Sequence, residues 1–207
     1  MSPPGVGPTM FTKKIATAEK WLLDLDDRTH RFFEAYTDSA PMRVLDVLSK
    51  LGDQPELRII AFGLMIAGTF TGRARLVRAG ARMIIAHEAA TLAKSRVKTE
   101  IDRTRPRSAR GRNEKKPRMG NRSAKEETSF PSGHSAGAIA TARAFSREFP
   151  EYGIAVMGGA GLIAASQIAR TAHYPTDVAV GAAIGLAAEA VTSRAWSAAR
   201  VDERSTE

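Results

Sequence analysis

The chain has 207 residues, 43% of them hydrophobic, no cysteine and a formal net charge of +9. That length suits one domain with a sizeable core, and the hydrophobic share excludes general disorder. The absence of thiols excludes disulfides, cysteine nucleophiles and thiolate metal sites, while the positive surplus leaves three partners open: nucleic acid, an anionic membrane surface or an anionic substrate.

Residues 1–11 hold three prolines and two glycines in their first ten positions and read as a disordered tail, with no apolar core of a signal peptide. From Thr12 a single domain is expected to run to Arg200, followed by a second disordered tail over 201–207. Trp21, Leu22, Leu25, Phe32 and Phe33 recur at helical spacing, as do Val44, Leu45, Val47, Leu48 and Leu51. This predicts two amphipathic helices broken near Pro41, with a charged face toward solvent or lipid headgroups. Leu57 to Phe70 is strongly apolar apart from Arg58. Arg75 to Val97 is apolar on one face and charged on the other.

The charge surplus is concentrated in the next stretch: Arg103 to Lys125 holds ten Lys or Arg against one acidic residue, Glu114. It lacks apolar periodicity, so a basic loop is predicted over 107–128. Three Ala-rich helical segments follow, His134–Glu148, Gly153–Ala169 and Asp177–Trp196, and no strand is read. The fold class is all-α, a bundle of about six helices. Small residues suit closely packed membrane helices, although soluble Ala-rich bundles look similar. Gly153 to Ala169 offers 17 residues without a full charge, and Leu57 to Gly72 is about as long. Multi-pass membrane insertion is the leading expectation, with a soluble or peripheral bundle as the alternative.

Three short segments carry chemistry. In the first, Lys98 precedes Arg105-Pro106 by seven residues, about two helical turns, so an ammonium and a guanidinium could share a face as an oxyanion clamp. The second is Pro131-Ser132-Gly133-His134. Ser132 suits a helix N-cap, and the free N–H groups behind it suit a phosphate. The third is Ser166-Gln167-Ile168-Ala169-Arg170 followed by His173-Tyr174-Pro175-Thr176-Asp177. Pro175 belongs in the first turn of a helix, which puts His173 at a corner with Asp177 in reach. A carboxylate on one ring nitrogen would leave the other free to attack.

Together and in this order, the segments resemble the type 2 phosphatidate phosphatase superfamily, which also holds bacterial acid phosphatases and vanadium haloperoxidases. The resemblance spans roughly Leu45 to Thr192. It implies His173 as nucleophile, His134 as proton donor and Asp177 as the orienting carboxylate. It further implies phosphate binding by Lys98, Arg105, Ser132 and Gly133, with no metal and no cofactor. One position departs: the family places arginine where this chain has Gln167, and an amide cannot neutralise an oxyanion. Arg170, one turn later, is the candidate replacement.

The expected activity is hydrolysis of a lipid phosphate or pyrophosphate through a phosphohistidine. A phosphatase of soluble phosphomonoesters is the alternative, and a vanadate-dependent haloperoxidase, a nucleic-acid-binding module or a catalytically dead lipid binder are the lesser ones. The partners implied are a lipid phosphate and a membrane, with no nucleic acid, since the basic stretch has no aromatic residue for base stacking. The place implied is the bacterial inner membrane, with oligomeric state open. All three motifs should meet at one end of the bundle beneath the basic loop. Loop charge argues for a cytoplasmic end, and the resemblance for the opposite one.

Overall fold

The computed structural model describes residues 10–37, 39–109, 115–120 and 128–205. Seven α-helices carry the architecture among them, one more than expected: α1 (Met10–Glu34), α2 (Ala40–Lys50), α3 (Gln54–Phe70), α4 (Ala74–Glu100), α5 (Gly133–Glu148), α6 (Gly153–Ala169) and α7 (Pro175–Ser205). The all-α class holds. A short antiparallel pair, β1 (Ile101–Asp102) with β2 (Arg118–Met119), appears where no strand was read.

Helix reaches into both stretches expected as tails. Helical backbone already occupies Met10 and Phe11, and α7 continues through 201–205. Extending an existing helix fixes one residue per added bond, so polar ends continue a helix they could not nucleate. Positions 1–9 and 206–207 lie outside the described residues.

Helix α5 is the centre of the bundle and packs against α4, α6 and α7, with α3 packed mainly against α4. The core between these helices is built from alanine: Ala61, Ala86, Ala90, Ala136, Ala140, Ala144 and Ala188 surround Met83. Side chains this small let backbones approach closely, so packing contacts replace bulky interdigitation. Gly181 shows how close. A Cβ there would collide with the Ser132 carbonyl oxygen, where α7 crosses the start of α5. Backbone cannot swing aside as a side chain can. Gly181→Ala should therefore cost about 1–3 kcal/mol by overpacking, read as a lower melting temperature of the purified protein.

The far end of α4, α5 and α7 is joined by charge. Arg78 and Arg82 both reach Glu148, at 3.0 and 2.9 Å, and Arg147 reaches the buried Glu189 at 2.8 Å. At the opposite end lie the C-terminus of α4, the start of α5, the α2–α3 junction and the α6–α7 corner.

Helix α1 is turned the other way from the expectation. It presents Trp21 (63% exposed) and Phe32 (61%) outward and buries Asp26 and His30. The reason is a buried partner: Asp26 accepts from Arg103 at 2.6 Å and from the Thr176 hydroxyl at 2.6 Å. The basic stretch also differs from a loop hanging free. Its described parts dock on α1, Lys115 pairing with Asp27 at 2.6 Å and Lys116 with Glu19 at 2.6 Å. The remainder of the predicted loop, 110–114 and 121–127, lies outside the described residues.

Candidate active site

A cavity of about 480 Å³ opens at the end where the three motif segments meet. Its lining includes Lys98, Arg105, Gly133, His134 and His173 from the motifs, with Lys94, Asp53 and Glu56 beside them. Four motif residues, Ser132, Gln167, Arg170 and Asp177, lie outside that lining.

The first segment reaches the cavity by a different path from the one its spacing suggests. Helix α4 ends at Glu100, and Arg105 lies in extended backbone (φ −63°, ψ 147°). Two local causes act here. Ile101 and Asp102 are taken up by strand pairing, and Pro106 disfavours helix at the residue before it. Arg105 is buried; it donates to the Ala172 carbonyl at 3.2 Å and lies 3.4 Å from His173 Nε2. Lys98 stays on α4, in its last turn. Burial, reinforced by the charges of Lys94 and Arg105, pushes its ammonium down to about 8. It remains largely protonated at neutral pH and gains most from an arriving anion.

The second segment starts α5 as read. Ser132 is the N-cap, its Oγ accepting from Ser135 N at 3.4 Å and from the Ser135 hydroxyl at 2.9 Å. Both bonds use the Ser132 oxygen as acceptor; the residue is buried, and its neighbour Gly133 lines the cavity. His134 follows with its ring over the α2–α3 junction, Nε2 at 2.5 Å from Asp53 Oδ1. Burial lowers the His134 pKa, and Asp53 pulls it back up.

The third segment brings His173 in fully buried, with α7 starting at Pro175 as its sequence requires. Its orienting partner is not the expected one. Nδ1 lies 2.7 Å from the Ser129 carbonyl, whereas Asp177 Oδ2 is 3.8 Å away. A carbonyl only accepts, so Nδ1 carries the proton and Nε2 presents its lone pair beside Arg105. Asp177 is withdrawn because its oxygens are engaged: Oδ1 accepts from Arg103 at 2.5 Å, and Oδ2 from the Tyr174 N–H at 2.9 Å. Burial above all, with Arg105 and Lys98 adding to it against the opposing pull of Asp177, lowers His173 to about 4. The imidazole is neutral at pH 7, the form a nucleophile needs.

The two α6 candidates are used elsewhere. Gln167 is buried with its side-chain amide nitrogen on Ser166 Oγ at 3.3 Å, and its backbone carbonyl accepts from the N–H groups of Ala172 and His173. It shapes the corner that carries His173. Arg170 is bound to Asp46 and to Ser49 on α2, so it ties α6 to α2.

Four residues of this arrangement escape sequence reading. Ser129 and Asp53 carry no motif. Lys94 stands one turn before Lys98, outside the motif, and only the four-residue spacing puts it on the same face. Arg103 sits inside a basic run, where its charge looks like its neighbours'. Among the described residues, no group of three His, Asp or Glu is placed to hold a metal ion.

The sequence profile of the PAP2 superfamily matches residues 56–200. Among solved structures, LpxE of Aquifex aeolicus is similar in fold, with a TM-score of 0.57 and 21% identity over 79% of this chain and 93% of its own. A transmembrane PAP2-type phosphatidylglycerolphosphate phosphatase from Bacillus subtilis aligns with a TM-score of 0.41 and 21% identity, over 82% of this chain and 94% of its own. No curated protein sequence matches the chain.

Proposed function

This chain belongs to the PAP2 superfamily, and we propose that it hydrolyses a lipid phosphate or pyrophosphate through a phosphohistidine intermediate. The observation that carries the proposal is the cavity itself, where His173 and His134 open on the same space as Lys98 and Arg105. His173 Nε2 attacks phosphorus in line as the bond to the leaving oxygen breaks. His134 gives that oxygen its proton. Water then attacks the phosphohistidine, His134 takes a proton from it, the P–N bond breaks and inorganic phosphate leaves. Lys98, Arg105 and the N–H groups at the start of α5 hold the equatorial oxygens. Every step is served by side chains and backbone N–H groups of this chain.

Two features support a lipid substrate over a soluble phosphomonoester. Pro150–Ala169 and Pro175–Ala199 are 20 and 25 residues long and apolar enough to cross a membrane by length and composition. Large apolar side chains also face outward around the bundle, among them Ile59, Ile66, Phe70, Ile154, Leu162 and Val191. Such a surface suits acyl chains better than water. We read the protein as multi-pass. Helical spans suit a bacterial inner membrane, since outer-membrane spans are β-barrels. Phosphate release from a panel of lipid phosphates, lipid pyrophosphates and soluble phosphomonoesters in detergent tests the reading. Preference for a lipid is expected, and equal or better turnover of soluble esters would replace it with the soluble reading.

The pH profile of kcat/KM should be acidic. His173 must be neutral, so activity falls as pH drops through about 4. His134 must be protonated, so activity falls as pH rises through its pKa, which lies below the ordinary 6.5. Asp53→Asn removes a charge that raises that pKa. It should move the alkaline limb to lower pH and leave the acid limb in place; an unmoved alkaline limb would detach Asp53 from proton transfer.

A further inference from the structure

We propose that Lys94 supplies a third cation to the transferred phosphoryl group, in place of any charge from α6. This rests on the phosphatase reading above. A phosphoryl group in transfer spreads negative charge over three equatorial oxygens, and positive groups around them are the main source of catalysis. Two such groups, Lys98 and Arg105, come from the first motif. Helix α6 offers none: Gln167 is neutral and bonded to Ser166, and Arg170 is held by Asp46 and Ser49 on α2.

Lys94 stands in the right place for the vacant role. It lines the cavity with Lys98, Arg105, His134 and His173. Its Nζ lies 3.3 Å from where a Cβ of Gly133 would be, at the very start of α5. The Lys94 ammonium therefore lies beside the N-terminus of α5, next to its free N–H groups. Lys94 and Lys98 are four residues apart on α4, so both extend from one face. Among the described residues, neither has a carboxylate within ion-pair distance, although Asp53 and Glu56 also line the cavity. Asp53 is committed to His134. Two ammonium groups and a guanidinium so arranged repel one another until an anion arrives.

This placement also decides between two uses. A cation on the transferred group acts on every substrate. A cation on a second phosphate acts only on pyrophosphates. The proximity to Gly133 and to the α5 N-terminus favours the first.

The test uses the full-length protein in detergent, with Lys94→Met, which keeps the stem, and Lys94→Arg, which keeps the charge. Turnover is measured on a lipid monophosphate and on the matching pyrophosphate, and orthovanadate binding by titration calorimetry. Lys94→Met should lose about 100-fold in kcat/KM on both substrates and bind vanadate at least tenfold more weakly, while Lys94→Arg recovers most of both. Loss on the pyrophosphate alone would overturn the proposal in favour of a second-phosphate subsite. Vanadate binding unchanged in Lys94→Met would overturn it outright. Vanadate affinity that falls in Lys94→Met supports it even if no phosphate ester tried is hydrolysed, an outcome that would count against the phosphatase reading instead. Wild type that binds no vanadate would sink both.

Discussion

His173→Ala should lower turnover by about four orders of magnitude or more, because it removes the atom that forms the covalent bond. The fold should survive. His173 makes one side-chain bond to the Ser129 carbonyl and lies near Arg105, and the corner itself is held by backbone bonds from Ala172 and His173 to the Gln167 carbonyl. A melting temperature near that of wild type would therefore accompany the loss. The companion variant His134→Ala separates the two histidines. With an aryl phosphate the leaving group needs no proton, so the first step should proceed. The second step lacks its base, and a phosphorylated protein should accumulate. A phosphoramidate is labile in acid and stable in alkali, so the label should show that pattern and be absent from His173→Ala. Turnover in His173→Ala within tenfold of wild type, or a label that survives acid, would remove His173 from the nucleophile's role.

What could be read in advance here was local, and what could not was long-range. Ser132 caps α5 and Pro175 opens α7 because capping and proline geometry depend only on neighbouring residues. The convergence of three motifs at one end followed from helix order alone. Counting residues puts Lys98 and Arg105 on one helical face, but strand pairing of Ile101 and Asp102 ends α4 first. Such pairing joins residues 18 and 16 positions apart, Ile101 with Met119 and Asp102 with Arg118, and no periodicity records it. Asp177 follows His173 by four residues, which suggested a direct bond. A third party, Arg103, claims the carboxylate instead, and Ser129 takes its place at Nδ1. Arg170 was the nearest cation by sequence to the gap at Gln167, yet two α2 residues hold it. In each case the deciding partner lies far along the chain.

Arg103→Met should be the most destabilising single change, and its cause is charge rather than volume. The Arg103 side chain is 1% exposed, and each of its three nitrogens donates. Nη2 donates to Asp26 at 2.6 Å, Nη1 to Asp177 at 2.5 Å and to the Thr176 hydroxyl at 2.7 Å, and Nε to the Lys115 carbonyl at 2.7 Å. The guanidinium lies 3.9 Å from the centre of the Tyr174 ring. One residue thus ties α1, the basic stretch and the start of α7 behind the His173 corner. Methionine fills much of the space but leaves two buried carboxylates, Asp26 and Asp177, facing each other without a cation. Breaking a buried ion pair by removing one partner costs about 3–5 kcal/mol, which for a chain of this size lowers the melting temperature by roughly 10 °C. Arg103→Lys should recover little, since a point charge cannot reach acceptors spread around a fork. Adding Asp26→Asn to Arg103→Met should restore part of the stability by removing one of the stranded charges, even though it deletes a further bond. That sign is the diagnostic. If the double variant melts below Arg103→Met, the cost lies in lost packing and hydrogen bonds, and the electrostatic account of this cluster fails.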